Sequence, residues 1–386
     1  MSTPGILSGA IQSYAWGSRE ALPRIMGVAP TGEPQAELWL GAHPRGPAVL
    51  RRGGAEEPLH QVIAADPVGE LGVHTAEQHG GELPFLLKIL AVAQPLSLQA
   101  HPDRRQAQAG FDAEQQQGIP VDADHRTFRD RNHKPELICA LEPFTALCGF
   151  RPPSTAAALL DSLAVPGLAP VVESLRAGRT QQALRWLLRL PRRAGTEMAR
   201  QAAAACRRPG PHTEERRWAV RIAQQHPGDI GVVIALLLNL VQLEAGQALY
   251  LRPGNLHSYL HGAAVEIMAN SDNVLRGGLT AKHVNVDALL EAADCGAEEP
   301  TVLTPGGPNH TFRPPVLDFC LTRLEVAQPV ICGLSGPEIA LCASGEVRVA
   351  GHEIAGGGAV WLPAGAGDYE VAGTGLVFRA RTNQHR

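Results

Sequence analysis

The chain has 386 residues and a formal net charge of −4, and 44% of its residues are hydrophobic against 19% charged. This balance is typical of a globular protein and excludes a disordered chain, while the slight acidity excludes the basic surface that nucleic-acid binding requires. The length predicts two or three domains with room for a sizeable core.

In chain order, the pattern predicts a mainly β protein with a helical insertion. Short apolar runs broken by Gly and Pro predict strands over 1–152 and again over 236–307. Between them, over 153–235, Ala, Leu, Gln and Arg recur at helical spacing. The last part, 308–386, holds short strands punctuated by Gly, which is typical of a sandwich or jelly roll.

The helical segment carries its own start and stop signals. Ser154 and Thr213 stand where helix N-caps are expected, and the Pro-Gly pairs that begin at Pro209 and Pro227 stand where helices should end. Its arginine-rich faces are interpreted as solvated helix surface, because the chain as a whole is acidic.

Cysteine usage and the apolar runs predict a cytoplasmic protein. Seven cysteines, an odd number without a Cys-x-x-Cys pair, indicate neither a disulfide framework nor a thiolate metal site. The first residues lack a basic segment followed by an apolar run, and the longest apolar run, 231–243, is too short to span a bilayer. We expect no membrane and no nucleic-acid partner, and a monomer, with a dimer left open.

Four polar residues lie within strand-like apolar runs. Gln99 and His101 are two apart, so their side chains should share one face, and Pro135 holds the chain extended before Glu136. His257 follows a turn further along. Burying such groups is costly without a shared partner, and a Gln/His/Glu/His set suits a divalent metal such as zinc. With one anionic ligand, a zinc ion would keep positive charge and act as a Lewis acid.

The remaining histidines are interpreted as ordinary core or surface side chains, with His133 kept apart because it stands in the Asp-Arg-Asn-His-Lys-Pro-Glu run. The ordinary set is His43, His60, His74, His79, His125, His212, His226, His261, His283, His310, His352 and His385.

A second polar group lies downstream. Glu266 alternates with apolar neighbours, and Asp272, Arg276 and Lys282 follow within seventeen residues. Arginine and lysine beside a Gly-Gly pair suit a phosphate ester, because small residues let backbone N–H groups approach an anion. Glu266 is then either a base with a raised pKa or the partner of Arg276 in a structural ion pair.

Lysine is scarce. Only three of the 34 basic side chains are lysine, namely Lys88, Lys134 and Lys282. All three fall in polar or strand-like segments singled out here, outside the helical insertion. In a chain that otherwise uses arginine, each marks a position that needs a compact, titratable ammonium.

Seven segments together resemble the type I phosphomannose isomerases. They occur in order over about two thirds of the chain: YAWG, AELWLGAHP, FLLKIL, LSLQAHPD, DRNHKPE, RPGNLHSYLHG and EIMANSDNVLRGGLTAKH. The resemblance implies a zinc-containing cupin core over 1–152 and 236–307, a helical domain over 153–235 and a C-terminal jelly roll over 308–386. It also implies an isomerase of mannose 6-phosphate and fructose 6-phosphate.

The resemblance also implies roles for particular residues. The family's zinc ligands fall on Gln99, His101, Glu136 and His257, for one zinc per chain, and its active-site arginine on Arg276. Its substrate-pocket residues fall on Trp16, Lys88, Ser97, His133, Lys134, Glu266, Asp272 and Lys282. The last eighty residues carry no motif of the family.

An aldose–ketose isomerase opens the sugar ring and moves a proton between C2 and C1 through a cis-enediol. One base suffices; Glu266 is the first candidate and a His133/Asp272 pair the second. Lys134 would carry protons during ring opening, and Arg276 would either offset the enediolate charge or clamp phosphate, with Lys88 and Lys282 as further phosphate candidates.

Two other functions stay open. A cupin that uses a non-haem metal for oxygen chemistry would bind iron and consume dioxygen. A non-catalytic sugar-phosphate sensor would need fewer polar groups. The reaction would serve either sugar catabolism or GDP-mannose synthesis.

Overall fold

The computed structural model describes residues 2–383, in which strands dominate and helices cluster in one segment. The 21 strands of this part of the chain are Gly5–Ser8 (β1), Ala10–Gln12 (β2), Glu37–Gly41 (β3), Val49–Arg52 (β4), Ala55–Pro58 (β5), Phe85–Val92 (β6), Leu98–Ala100 (β7), Glu136–Ala140 (β8), Phe144–Phe150 (β9), Leu238–Leu243 (β10), Ala248–Leu251 (β11), His257–Ala269 (β12), Leu275–Gly278 (β13), Val302–Leu303 (β14), Asn309–Phe312 (β15), Cys320–Val326 (β16), Val330–Cys332 (β17), Glu338–Val349 (β18), His352–Ala355 (β19), Ala359–Leu362 (β20) and Tyr369–Arg381 (β21).

The described residues form twelve α-helices. They are Ala21–Met26 (α1), Leu59–Ala65 (α2), Pro67–Leu71 (α3), Val73–Gln78 (α4), Arg104–Gln116 (α5), Pro153–Asp161 (α6), Ala169–Arg176 (α7), Thr180–Leu188 (α8), Arg192–Cys206 (α9), Thr213–Gln225 (α10), Gly231–Ala235 (α11) and Val286–Ala292 (α12).

The first sheet has eleven strands and is organised around β12. Its main path runs β14-β11-β8-β12-β6-β3-β2, and β9 and β7, which carry β10 and β13, also pair with β12. The first residues of β12 pair with β7 and β9, and its later residues pair with β6 and β8. Gly262 stands at the change, with a φ of 117°, and a Cβ there would lie 2.7 Å from the Pro143 oxygen. A glycine is therefore required where β12 passes from one set of partners to the other.

The second sheet has ten strands, in the order β15-β16-β21-β18-β20-β1-β4-β5, with β17 and β19 attached to β21 and β18. Strand β1 pairs with β20, with Gly5 opposite Trp361. Three strands from the first 58 residues thus complete a sheet that is otherwise built from 309–381. The domain boundaries at residues 152, 235 and 307 stay predictions.

One face of the first sheet packs on the second sheet, and that packing sets which side chains remain for chemistry. Leu87 and Ile267 belong to the same buried cluster as Ile339 and Phe378 of the second sheet. Because side chains alternate along a strand, the residues between them turn to the opposite face of the first sheet. That face carries the polar side chains described below.

The presence of the predicted helical insertion is confirmed. Helices α6 to α11 lie between β9 and β10, and a single buried cluster fills their interior. The Pro-Gly stop signals are confirmed, since α9 ends at Cys206 and α10 at Gln225. The N-cap predictions are each wrong by one or two residues: α6 begins at Pro153, and His212 precedes α10. Proline is well suited to the first helical position, which moves the start of α6 ahead of Ser154.

The prediction of a β-rich, irregular first part missed its helices, of which α5 is the longest. Asp103 caps α5 by accepting a hydrogen bond from the Gln106 backbone, and the Gln106 side chain accepts one from the Asp103 backbone. This reciprocal capping box was readable from the sequence. Its significance is positional, because α5 starts three residues after His101. No helix among residues 2–383 is long and apolar enough to cross a membrane.

Candidate active site

Three of the four predicted metal ligands converge on one buried point. His101, Glu136 and His257 each offer a ligand atom, and these atoms lie within 4.8 Å of one another. The Nε2 atoms of His101 and His257 lie 3.4 and 3.3 Å from opposite oxygens of the Glu136 carboxylate. All three residues are buried, with His101 at 2% exposure.

The backbone fixes the orientation of both imidazole rings. His101 Nδ1–H donates to the Asn273 carbonyl at 2.7 Å, and His257 Nδ1–H donates to the Asn255 carbonyl at 3.0 Å. Each Nε2 then carries a lone pair in a buried position without a hydrogen-bond partner among the described residues. Burial, followed by the Lys134 charge, lowers the pKa of His101 to about 4, so this ring stays neutral. Neutral imidazoles oriented by outer hydrogen bonds are what a metal ion requires.

Gln99 adjoins this cluster. It lies directly opposite His257 in the pairing of β7 with β12, and opposite Arg276 in the pairing of β7 with β13. Residues paired across antiparallel strands turn their side chains to the same face. The Gln99 side chain thus lies on the same side as the His257 ring, and its role as a metal ligand stays a prediction.

Lys134 forms an ion pair with the same carboxylate. Its Nζ lies 3.3 Å from Glu136 Oε1, and its side chain is buried. Burial alone would raise the pKa of Glu136, but His101 and Lys134 hold it well below its usual value. The carboxylate is therefore ionised and can serve as the anionic ligand.

Glu266 lies at the centre of a second buried network. Glu266 and Lys88 are opposite each other in the pairing of β12 with β6, and Lys88 Nζ lies 3.2 Å from Glu266 Oε2. The other oxygen, Oε1, accepts a hydrogen bond from the Tyr259 hydroxyl at 2.8 Å. Burial raises the pKa of Glu266; Lys88 opposes the shift and the Glu136 charge adds to it. Of the two roles considered for Glu266, the ion pair with Arg276 is not formed, because the partner of Glu266 is Lys88.

Residues that the sequence analysis did not assign extend this network. Lys88 Nζ also lies 3.5 Å from Glu37 Oε2, and the Trp39 indole N–H donates to the same carboxylate. Burial would lower the pKa of Lys88, but the two carboxylates outweigh it and raise the pKa above its usual value. Glu37 and Trp39 are two residues apart in the strand-like AELWLG segment, so their side chains lie on the same face. This period-2 pattern could have identified them from the sequence.

The second candidate base is not formed. His133 Nε2 lies 3.0 Å from Asp318, whereas Asp272 contacts His43 Nε2 at 3.3 Å and the Arg45 guanidinium. The pairing of His133 with Asp272 was therefore wrong, because each side chain has a different partner. His43, assigned an ordinary role, is buried beside Asp272. Burial would raise the pKa of Asp272, but His43 and Arg45 lower it to about 2.

Three cationic side chains, those of Arg129, Arg276 and Lys282, lie close enough for their charges to interact. Burial lowers the pKa of Arg276, and the charge of Arg129 lowers it further. Partial loss of solvent around Lys282 also lowers its pKa, with the charges of Arg276 and Arg129 adding to the shift. Arg129 was not singled out from the sequence. Cations that lie close enough for their charges to repel one another form a ready site for an anion.

The two remaining predicted pocket residues are half-buried. Trp16 stacks on Tyr14, with ring centroids 5.8 Å apart, and packs against the apolar cluster inside the first sheet. Burial raises the pKa of Tyr14, and so does the charge of Glu37, which places this ring near the Lys88 network. Ser97 is half-buried and directly precedes β7, the strand that carries Gln99.

Comparison with known proteins gives one consistent result. A family model described as "Phosphomannose isomerase type I, catalytic domain" matches residues 6–153. Mannose-6-phosphate isomerase of Salmonella typhimurium is 36% identical over 388 residues, which covers 97% of this chain and 98% of that protein. The Homo sapiens mannose-6-phosphate isomerase is 32% identical over 395 residues, covering 90% of this chain and 89% of that protein.

Solved structures agree. The S. typhimurium mannose 6-phosphate isomerase bound to its substrate, fructose 6-phosphate, and a zinc atom matches with a TM-score of 0.91 at 34% identity, covering 99% of this chain and 100% of that chain. The zinc-bound holo form of a mannose 6-phosphate isomerase also matches with a TM-score of 0.91, at 33% identity and the same coverage. The mainly β fold with a helical insertion is thereby confirmed. On these matches, the chain belongs to the type I phosphomannose isomerase family.

Proposed function

We propose that this chain interconverts mannose 6-phosphate and fructose 6-phosphate with one zinc ion held by Gln99, His101, Glu136 and His257. One observation carries the proposal, in a chain of this family. The buried rings of His101 and His257 turn their Nε2 atoms, which have no hydrogen-bond partner among the described residues, toward the ionised Glu136 carboxylate. A zinc ion bound there would act as a Lewis acid on the substrate oxygens.

We assign the proton transfer to Glu266. Burial raises the pKa of Glu266, and a carboxylate with a raised pKa is a stronger base than an exposed one. Lys88 and Tyr259 hold its two oxygens, so the carboxylate is oriented before substrate binds. Lys134, on the metal side, is placed to exchange a proton with a sugar oxygen during ring opening. His133 and Asp272, which have other partners, are assigned no proton transfer.

We place the substrate phosphate at Arg129, Arg276 and Lys282. In support, burial lowers the pKa values of Arg276 and Lys282, and the charge of Arg129 lowers both further. A bound dianion would relieve the repulsion between these cations. Arginine and lysine together give both directed and point-charge contacts to phosphate oxygens. Arg276, whose strand pairs with the strand of Gln99, links this anion site to the metal cluster.

The phosphate assignment predicts a change in KM. Arg129→Gln should raise the KM for mannose 6-phosphate about tenfold, the effect of roughly 1.4 kcal/mol of lost binding, with kcat changed less than about twofold. Inhibition by inorganic phosphate should weaken in parallel. Arg131→Gln is the matched control, because Arg131 is exposed and pairs with Asp112. An unchanged KM in Arg129→Gln would remove this residue from the phosphate site.

The activity itself is tested by a coupled assay of mannose 6-phosphate conversion on zinc-loaded protein. We expect mannose 6-phosphate to be converted to fructose 6-phosphate without consumption of dioxygen. Unphosphorylated mannose should be converted at least about 10²-fold more slowly, because the anion site is then empty. Dioxygen uptake by an iron-loaded sample would favour the oxygenase alternative. Binding of mannose 6-phosphate without conversion would favour the sensor.

We also propose a cytoplasmic location and a monomeric state. All seven cysteines are free, and six of them are buried. This is consistent with a reducing compartment. Sedimentation of the purified chain tests the oligomeric state.

A further inference from the structure

Asp318 is a buried carboxylate that the reaction does not use. It lies between β15 and β16, on the C-terminal side of the chain, and is 3% exposed. An ionised carboxylate in such a position is costly unless it is paired and hydrogen-bonded. Its partners are therefore the key to its role.

Both partners belong to segments that carry metal ligands. His133 Nε2–H donates to Asp318 Oδ2 at 3.0 Å, and the Arg104 guanidinium lies 3.5 Å from Oδ1. His133 stands three residues before Glu136, and Arg104 stands three residues after His101. The Asp318 carboxylate thus contacts both segments from outside the first sheet. Asp318 itself lies between two strands of the second sheet.

The geometry around His133 explains how this contact reaches the site. In the extended segment before β8, neighbouring side chains point to opposite sides. Lys134 points to Glu136 inside the first sheet, while His133 points outward to Asp318. Holding His133 outward therefore holds Lys134 inward. Burial would raise the pKa of Asp318, but His133 and Arg104 lower it, so the anion needed for both contacts is present.

We propose that Asp318 is a positioning residue through which the C-terminal part of the chain fixes the two ligand-bearing segments relative to each other. The inference rests on the proposed function, because it concerns the same metal cluster. Asp318 touches neither substrate nor metal; it acts through His133 and Arg104. The last eighty residues, which carry no family motif, would thereby contribute to metal retention and turnover.

The test compares Asp318→Asn with Glu70→Gln. Glu70 is the matched control because it is an equally buried carboxylate that joins the same two parts of the chain away from the metal. It accepts hydrogen bonds from Arg52 at 2.6 Å and from the Trp361 indole at 2.7 Å. Zinc affinity is measured by competition with a chromophoric chelator, without substrate; kcat, KM and Tm are measured on zinc-saturated protein.

We expect Asp318→Asn to weaken zinc binding about tenfold, as losses of outer contacts to metal ligands do, and to lower kcat with little change in KM. Glu70→Gln should lower Tm by a similar amount without changing zinc affinity. Equal zinc affinity and kcat in the two variants would overturn the proposal. Because the chelator assay uses no substrate, a failure of the proposed isomerase activity would leave the zinc comparison readable.

Arg104→Gln covers the case in which Asp318→Asn does not fold, because Arg104 is half-exposed and tolerates change. It should weaken zinc binding in the same direction by a smaller factor; unchanged affinity there would count against the proposal. In a His133→Asn background, Asp318→Asn should add less to the loss than it does alone. Fully additive losses would show that Asp318 does not act through His133.

Discussion

Replacing Glu266 with glutamine is expected to lower kcat for mannose 6-phosphate by about 10³-fold, within the range of 10² to 10⁴ that general bases contribute. The amide keeps the shape of the carboxylate and can still accept the Tyr259 hydroxyl at Oε1. It cannot accept the proton from C2 or C1. Zinc content should stay near one per chain, because Glu266 makes no contact with the three metal-ligand residues among the described hydrogen bonds and ion pairs.

Solvent exchange separates a lost base from a damaged site. In deuterated water the unchanged enzyme should incorporate deuterium at C2 of mannose 6-phosphate, whereas Glu266→Gln should not. Glu37→Gln is the control, since Glu37 shares Lys88 with Glu266 but lies further along the network. It should cost kcat about tenfold or less, the scale of one lost ion pair near 1.4 kcal/mol. Near-normal turnover in Glu266→Gln would exclude Glu266 as the base.

The same residue sets the expected pH dependence. Burial raises the pKa of Glu266, so its carboxyl is protonated at a higher pH than an exposed glutamate. A protonated carboxyl cannot act as a base, and kcat should therefore fall as the pH drops through this raised pKa. The acid limb of the kcat profile should be absent from the residual activity of Glu266→Gln.

The cluster of His101, Glu136 and His257 could be predicted from sequence because its residues lie in strand-like runs with local signals. Gln99 and His101 are two apart, and a proline precedes Glu136. Burying such polar side chains among apolar residues demands a shared partner, which is a physical argument that needs no coordinates. The structure adds the orientation of the two rings, which depends on carbonyls of Asn255 and Asn273 and has no sequence signature.

Contacts between distant parts of the chain could not be predicted. Asp318 meets His133 across 185 residues, and Asp272 meets Arg45 across 227. Neither pair shares an element or a period, so local pattern carries no information about it. For the same reason the pairing of β1 with β20 was not expected. The assignment of His133 to Asp272 failed because both stood in the same group of polar segments, and spacing along the chain does not choose between partners.

The three lysines occupy particular positions in the structure. Lys88 and Lys134 are both buried with Nζ within 3.5 Å of a carboxylate. A planar guanidinium needs more room than a compact ammonium, and space is most restricted at Lys88, which lies between the carboxylates of Glu37 and Glu266. Lys282 differs, because it is exposed among other cations. Lys88 and Lys134 thus occupy positions where arginine is a poor substitute. The role proposed for Lys282 rests on its charge alone.

Removing one imidazole from the metal cluster should abolish both zinc binding and turnover. His257→Ala is expected to weaken zinc affinity by more than the roughly 10- to 100-fold that loss of an outer contact costs, and to lower kcat below about 10⁻³ of its original value. His261→Ala is the matched control, a histidine four residues further along the same strand that is exposed to solvent. It should keep one zinc per chain and full activity. Zinc is measured by elemental analysis after gel filtration, and activity by the coupled assay.

Chelation of the unchanged protein provides the complementary experiment. The apo protein should lose turnover and regain it when zinc is returned, because the protein groups that orient His101 and His257 are backbone carbonyls and stay in place without the metal. His257→Ala should not regain turnover at the same zinc concentration. Full activity after exhaustive chelation, or zinc retained at one per chain by His257→Ala, would contradict the assignment of the metal to this cluster, whatever the identity of the base.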